Sequence, residues 1–222
     1  MNRLVELATI ACFCVIVAAG RLAAATTLTT LYSFGPLPGS DGYNPYGGLV
    51  EGSDGNFYGT AYLGGAGLNG TVFRISPSGT FTNLHTFHGT FAGGDGSHPY
   101  ATLVFGSDGY LYGTTIGGGT DGDGTVFRIS TTGDFTTLHS FGAGEGSQPY
   151  GGLVEKDGYL YGTTFAGATV FKISLPGALT TLHSFDDGFG PYAGLVLASD
   201  GKFYGTTAQP GDRKSTRLNS SH

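Results

Sequence analysis

A chain of 222 residues with 42 glycines, 16 Phe and 13 Tyr carries too much glycine for a helical or doubly wound fold and suits many short strands joined by tight turns. The formal charge is −6, and residues 26–211 alone hold five basic residues against fourteen acidic ones, a balance of −9 that would repel a phosphate backbone and argues against nucleic acid as a partner. Both cysteines, Cys12 and Cys14, fall at the very start, so nothing later can form a disulfide or a thiolate metal site.

The chain opens with Arg3, an apolar run from Leu7 to Ala19 and small residues with Ala23 and Ala25 in an A-x-A arrangement. This is the pattern of a secretory signal peptide over residues 1–25, and the run is too short to span a bilayer, so no membrane span is expected in the mature chain. Leu28–Phe34 (LTTLYSF) then reads as a lone strand.

From Pro45 a pattern begins that starts again at Pro99, Pro149 and Pro191. Self-similarity at a period of about fifty residues marks one supersecondary unit per copy, each stacked on its neighbours. Every copy divides into extended segments A to D, which in the first are Tyr46–Glu51, Asn56–Tyr62, Gly70–Ser76 and Phe81–Phe87. Asp-Gly stands between A and B each time (Asp54-Gly55, Asp108-Gly109, Asp157-Gly158, Asp200-Gly201), which predicts a type I′ hairpin with positive φ at both residues. Segment C is apolar on both faces, Val72 on one and Phe73 and Ile75 on the other, as in a strand covered by sheets on both sides.

These features predict an all-β chain: a β-propeller of kelch-like four-stranded blades, with about three and a half blades over residues 45–98, 99–148, 149–190 and, in part, 191–211. The orphan strand 28–34 supplies a segment D with no C to pair with, so an open chain is expected, with the second strand of the last unit as an exposed edge. Residues 212–222 (DRKSTRLNSSH) contain neither glycine nor aromatics. They resemble the translation of a sequencing-library adapter and are set outside the repeats.

The intervals sort the connections into two kinds. From the Pro that opens A to the Tyr of B they are 13, 13, 12 and 13 residues, and from the Val of C to the last Phe of D they are 15 in each complete copy. From B to C they run 14, 14 and 9, and from D to the next A 11, 12, 8 and 6. In an antiparallel meander the A–B and C–D turns share one end of the blades and the B–C and D–A loops share the other. Variable loops on a rigid scaffold are the usual place for binding, so the loop end is the expected functional face.

The recurring GLV…SDG…(F/L)YGTT…GTVF(R/K)IS…LTTLHSF string resembles the "GloVer" tandem repeat of exported bacterial proteins over nearly all of residues 27–210. The resemblance implies a secreted or cell-surface repeat scaffold and brings no catalytic residue with it. No cofactor and no metal are expected. Asp121-Gly-Asp-Gly124 is similar to the start of a calcium loop but lacks the acidic residue at the twelfth position.

Each D–A loop carries an acidic residue, Gly, a variable pair and Pro. The pairs, Tyr43-Asn44, Ser97-His98, Ser147-Gln148 and Phe189-Gly190, are the candidate binding residues for a glycan or a surface protein, and the acidic residue reads as an Asx-type turn. His85, His139 and His183 recur in segment D, with Tyr32 in their place in the orphan strand, and read as packing parts of the unit. The alternative to a binding scaffold is a carbohydrate-active or lactonase-type enzyme. That reading is disfavoured because the unrepeated polar residues His88, His98 and Glu145 are scattered over different loops.

Overall fold

The computed structural model describes residues 13–16, 28–35, 39, 41–89, 94–185, 190–207 and 215–218. Among them there is no helix, and none therefore long and apolar enough to cross a membrane. Strands β1 (Phe13–Ile16) and β2 (Thr29–Ser33) pair with each other. The first blade follows as β3 (Val50–Glu51), β4 (Phe57–Ala61), β5 (Thr71–Ile75) and β6 (Phe81–Thr86), paired in that order. The second comprises β7 (Ser97–Pro99), β8 (Val104–Phe105), β9 (Leu111–Gly117), β10 (Thr125–Ile129) and β11 (Phe135–Ser140), with both β7 and β8 on β9. The third runs β12 (Val154–Lys156), β13 (Tyr159–Thr163), β14 (Thr169–Ser174), β15 (Leu179–Ser184), and a fourth sheet holds β16 (Val196–Leu197), β17 (Phe203–Thr206) and β18 (Ser215–Leu218).

Every pairing between the named strands is antiparallel, and the core lies between consecutive sheets rather than within them. Tyr58, Val72 and Phe87 of the first blade meet Leu103, Leu111, Phe127 and Ile129 of the second. The same faces recur one blade on, where Tyr112, Val126 and Phe141 meet Leu153, Leu160, Phe171 and Ile173. Segment C is buried on both sides as expected, since Val72 faces the second blade while Phe73 and Ile75 face Phe34 after β2. Each such apolar side chain contributes about 1.5–3 kcal/mol when fully buried, so stacking is the main support of a blade.

The D strand bulges at one residue per blade. Val72 pairs with His85 and Phe73 with Asn83, so Leu84 is turned out of the ladder, and Leu138 and Leu182 repeat this. A Cβ on Gly133, in the C–D turn of the second blade, would lie 3.0 Å from the Leu84 carbonyl oxygen, and one on Gly177 would strike that of Leu138. One on Gly79 would stand 2.6 Å from the Leu31 carbonyl, so β2 sits against the first blade as a D strand sits against the next one. Tyr32 stacks on Phe81 at 4.5 Å just as His85 stacks on Phe135 at 3.7 Å.

Three expectations change. Segment A is not one strand from Tyr46 to Glu51: the ladder is made at a bridge between Tyr43 and Leu63 and again at β3, and residues 45–49 leave it. The second blade is broken the same way between β7 and β8. Proline has no N–H to give the ladder, and the small residues after it let neighbouring backbones close up, a Cβ on Gly47 falling 2.7 Å from the Ala101 carbonyl oxygen.

The Asp-Gly turns are type I′ only in the third blade, where Asp157 and Gly158 have φ of 54° and 77° and Lys156 pairs with Tyr159 across a two-residue loop. The other three carry one residue more: Gly55, Gly109 and Gly201 alone are left-handed after a tight turn, with Gly55 N–H donating to Gly52 and Gly52 N–H to Asn56. The interval of 12 in the third copy, against 13 in the rest, is this missing loop residue.

The open edge expected on the fourth unit is occupied. β18, from the tail set apart in the sequence, pairs with β17 through Phe203↔Leu218 to Thr206↔Ser215, because any extended segment within reach can satisfy a row of unpaired N–H and C=O groups. Of the leader read in residues 1–25, only β1 falls within the described residues.

Candidate functional site

The breaks in segment A carry the largest exposed aromatic surface of the described residues. Each starts with Pro-Tyr, and the four tyrosines Tyr46, Tyr100, Tyr150 and Tyr192 project where successive breaks touch. Their ring centroids follow one another at 5.1, 5.5 and 5.3 Å, one step per blade. Tyr46 is 55% exposed, Tyr100 38% and Tyr192 53%, and Tyr150 is half-buried between them. Aromatic side chains at the ends of the B strands widen the row on its outer side. Tyr62 lies 5.4 Å from Tyr46 and 4.8 Å from His98, and Phe165 lies 4.2 Å from Tyr192. The result is an arc of rings along the inner edge of four blades at the loop end.

The backbone beneath the arc is held between blades. Gly48 N–H donates to Thr102 Oγ1 at 2.7 Å, Thr60 Oγ1 to the Ala101 carbonyl at 3.2 Å, Thr114 Oγ1 to Pro149 at 3.1 Å and Thr163 Oγ1 to Ala193 at 3.3 Å. The Thr of the first three Tyr-Gly-Thr blocks thus fastens the break of the following unit, and the tyrosines stand on a rigid footing. Burial raises the Tyr150 hydroxyl above its ordinary value, helped by Tyr192, Tyr62 and Tyr100, so this phenol is neutral at physiological pH. Burial lowers His98, which therefore adds an uncharged ring.

The residues singled out from the sequence sit just behind this arc. Tyr43, Ser97 and Ser147 pair through their backbones with Leu63, Gly117 and Ala166. Asn44, His98 and Gln148 all have left-handed φ, 56°, 58° and 56°, which turns the chain from the loop into the break. His98 joins the arc against Tyr62, Gln148 is exposed, and Phe189 lies outside the described residues.

The acidic residue of each D–A loop is more than a local turn. Asp41 Oδ2 accepts from the Tyr32 hydroxyl at 2.7 Å, Asp95 Oδ2 lies 3.1 Å from His85 Nε2 and from His88 Nδ1, and Glu145 Oε2 lies 2.8 Å from His139 Nε2. Each also accepts a backbone N–H, from Gly35, His88 and Gly142 respectively. The recurring acid therefore clasps its loop to the preceding D strand through Tyr32, His85 and His139, whereas the acidic residues that follow His183 lie outside the described residues.

The tyrosines of the arc recur in every copy, and recurrence by itself reads as packing. The signal was the Pro-Tyr pair itself: a proline that breaks the ladder frees the next side chain from the core.

The profile of the Gloeobacter/Verrucomicrobia repeat matches residues 20–218. No curated protein matches by sequence. Among solved structures the chain is similar to virginiamycin B lyase from Staphylococcus aureus (TM-score 0.54, 17% identity, 80% of this chain and 56% of that one). It is similar also to a chain of a Nidogen/Laminin complex (TM-score 0.51, 15% identity, 77% and 65%). A third likeness is to the extracellular domain assigned to a one component system of B. thetaiotaomicron (TM-score 0.57, 14% identity, 88% and 24%). The chain spans less than two thirds of the length of each, and at these identities the likeness is one of fold, a β-propeller.

Proposed function

The chain belongs to the Gloeobacter/Verrucomicrobia repeat family, and from that premise we propose a secreted or surface-displayed binding module whose tyrosine arc holds a glycan. The observation that carries the reading is the arc itself: phenol rings from four consecutive blades, three of them exposed and one half-buried, about 5 Å apart and fixed from below by inter-blade hydrogen bonds. A row of rings offers flat apolar surface for the C–H faces of sugars and hydroxyls at its edge for their oxygens, and tyrosine does this at little cost in side-chain entropy. Single apolar side chains on a surface need no explanation, but a contiguous row does.

The test is titration of the chain with a panel of soluble polysaccharides, comparing the wild type with Tyr46→Ala, Tyr100→Ala and, as a control, Tyr159→Ala. Tyr159 is 40% exposed but stands at the turn end. Binding that falls tenfold or more (about 1.4 kcal/mol) with the arc variants and survives the control is the expected outcome. Binding lost only with Tyr159→Ala would overturn the assignment.

A further inference from the structure

The basic residues of the repeats are sorted by end, whereas the acidic ones stand at both. All five basic residues of the repeats lie toward the turns. Arg128 covers the Tyr110 ring at 4.8 Å, Lys172 lies over Tyr159 at 5.3 Å, and Lys156 Nζ donates to the Gly201 carbonyl at 3.1 Å. Lys202 pairs with Asp200 at 3.4 Å, and Arg74 stands one blade before Arg128 at the same place in strand C, its Nη2 3.4 Å from Thr82 Oγ1. At the other end, the B–C and D–A loops of residues 35–44, 62–70, 88–98, 116–124, 142–148, 165–168 and 186–190 contain no Lys or Arg. They contain Asp41, Asp95, Asp121, Asp123, Glu145, Asp186 and Asp187. The loops named above therefore bring only negative charge to the arc, and the connection from β17 to β18, which adds Arg213 and Lys214 beside Asp212, leaves the balance of that end negative; the rings add the negative faces of their own quadrupoles.

We infer that the ligand of the arc is a cationic glycan, one bearing free amines, and not a carboxylated or sulfated one. This rests on the glycan reading above and narrows it. An ammonium group over a tyrosine face is attracted by the ring, and the carboxylates around the mouth draw a polycation in before contact. A polyanion meets repulsion and finds no guanidinium or ammonium in the loops of the first three units to pair with. The acidic residues that clasp their D strands are the same groups that shape the loops, so loop geometry and the sign of the field share one origin.

The experiment titrates the full chain with a fully deacetylated glucosamine hexamer, its N-acetylated counterpart and an oligogalacturonate, each at low and at high salt. The deacetylated hexamer is expected to bind roughly fivefold or more tighter than the acetylated one. That margin should shrink at high salt, where charges more than about 3–10 Å apart are screened. Tyr100→Ala should abolish binding and Tyr100→Phe, which keeps the ring, should retain it. Equal binding of the two hexamers, or tightest binding of the oligogalacturonate, overturns the charge inference and leaves glycan binding standing. Failure of every sugar, with or without capture of an oligolysine by the same tyrosines, overturns the glycan reading itself.

Discussion

Gly109, in the A–B turn of the second blade, and Gly96, in the D–A loop that leads into it, both have positive φ, at 83° and 111°. A Cβ on Gly109 would meet nothing within 4 Å, whereas one on Gly96 would collide with the Thr115 hydroxyl and stand 2.6 Å from that of Thr125. The turn end is shaped by its own backbone and faces water. The loop end is anchored against buried threonines of strands B and C, Thr125 Oγ1 reaching the Asp95 carbonyl at 3.5 Å and Thr169 Oγ1 that of Glu145 at 2.9 Å. Loops that vary in length are thus pinned where they rejoin the blade, and only their middles are free to differ.

The largest effect that separates the two ends is expected from Gly96→Val. Backbone strain and the clash with Thr115 together should cost about 3 kcal/mol or more, against about 1–2 kcal/mol of strain alone for Gly109→Val. Urea unfolding of both variants measures it, and equal losses would show that the loop end is not pinned.

Next in size is Tyr112→Phe. The Tyr112 hydroxyl, pushed up by burial and then by its bond to Asp108, donates to Asp108 Oδ2 at 2.7 Å, as Tyr58 does to Asp54. Removing it leaves a turn carboxylate short of a donor and should cost about 1–2 kcal/mol. Tyr161→Phe in the third blade, whose type I′ turn leaves Asp157 81% exposed, should stay within about 0.5 kcal/mol. Thermal melts of the pair distinguish the two turn types.

A pH effect belongs to the loop end. Burial lowers His85 below its ordinary 6.5, outweighing the pull of Asp95, and burial alone lowers His98. The folded chain binds these protons more weakly than the unfolded one, so the stability present above about pH 6.5 is lost as the pH falls below it. The melting temperature should drop between about pH 7 and pH 5, and His85→Gln should make that drop shallower. A flat profile in the parent chain would contradict the burial of both rings. Smallest of all in stability is Tyr46→Ala, expected within about 0.5 kcal/mol because the side chain is exposed, although it removes a ring from the arc. A large loss on melting would mean that Tyr46 is a core residue.

The stacking of the blades was legible in the sequence because the two faces of strand C announce it: Val72 and Phe73 cannot both be buried by one neighbour. The sorting into a rigid and a variable end was legible from the intervals alone. Three things were not. The break in segment A depends on how closely Gly47 and Ala101 approach across blades, and no local pattern reports that distance. The clasp of Asp95 on His85 joins residues on either side of a loop, whereas the acid-Gly pair by itself reads as a turn. The tyrosines of the arc look like the buried Tyr58 and Tyr112 in being repeated, and only the ladder-breaking proline before them tells the two kinds apart.

The joint between units has one more consequence. The outturned Leu carbonyl of each D strand and the glycine of the following C–D turn form a plug and socket that recur at Leu31 and Gly79, Leu84 and Gly133, and Leu138 and Gly177. Each of the three complete units therefore offers the same socket upstream and the same kind of plug downstream. A gene of this kind can gain or lose whole units by recombination between its repeats without a new interface having to evolve. Each unit gained would lengthen the row of tyrosines by one.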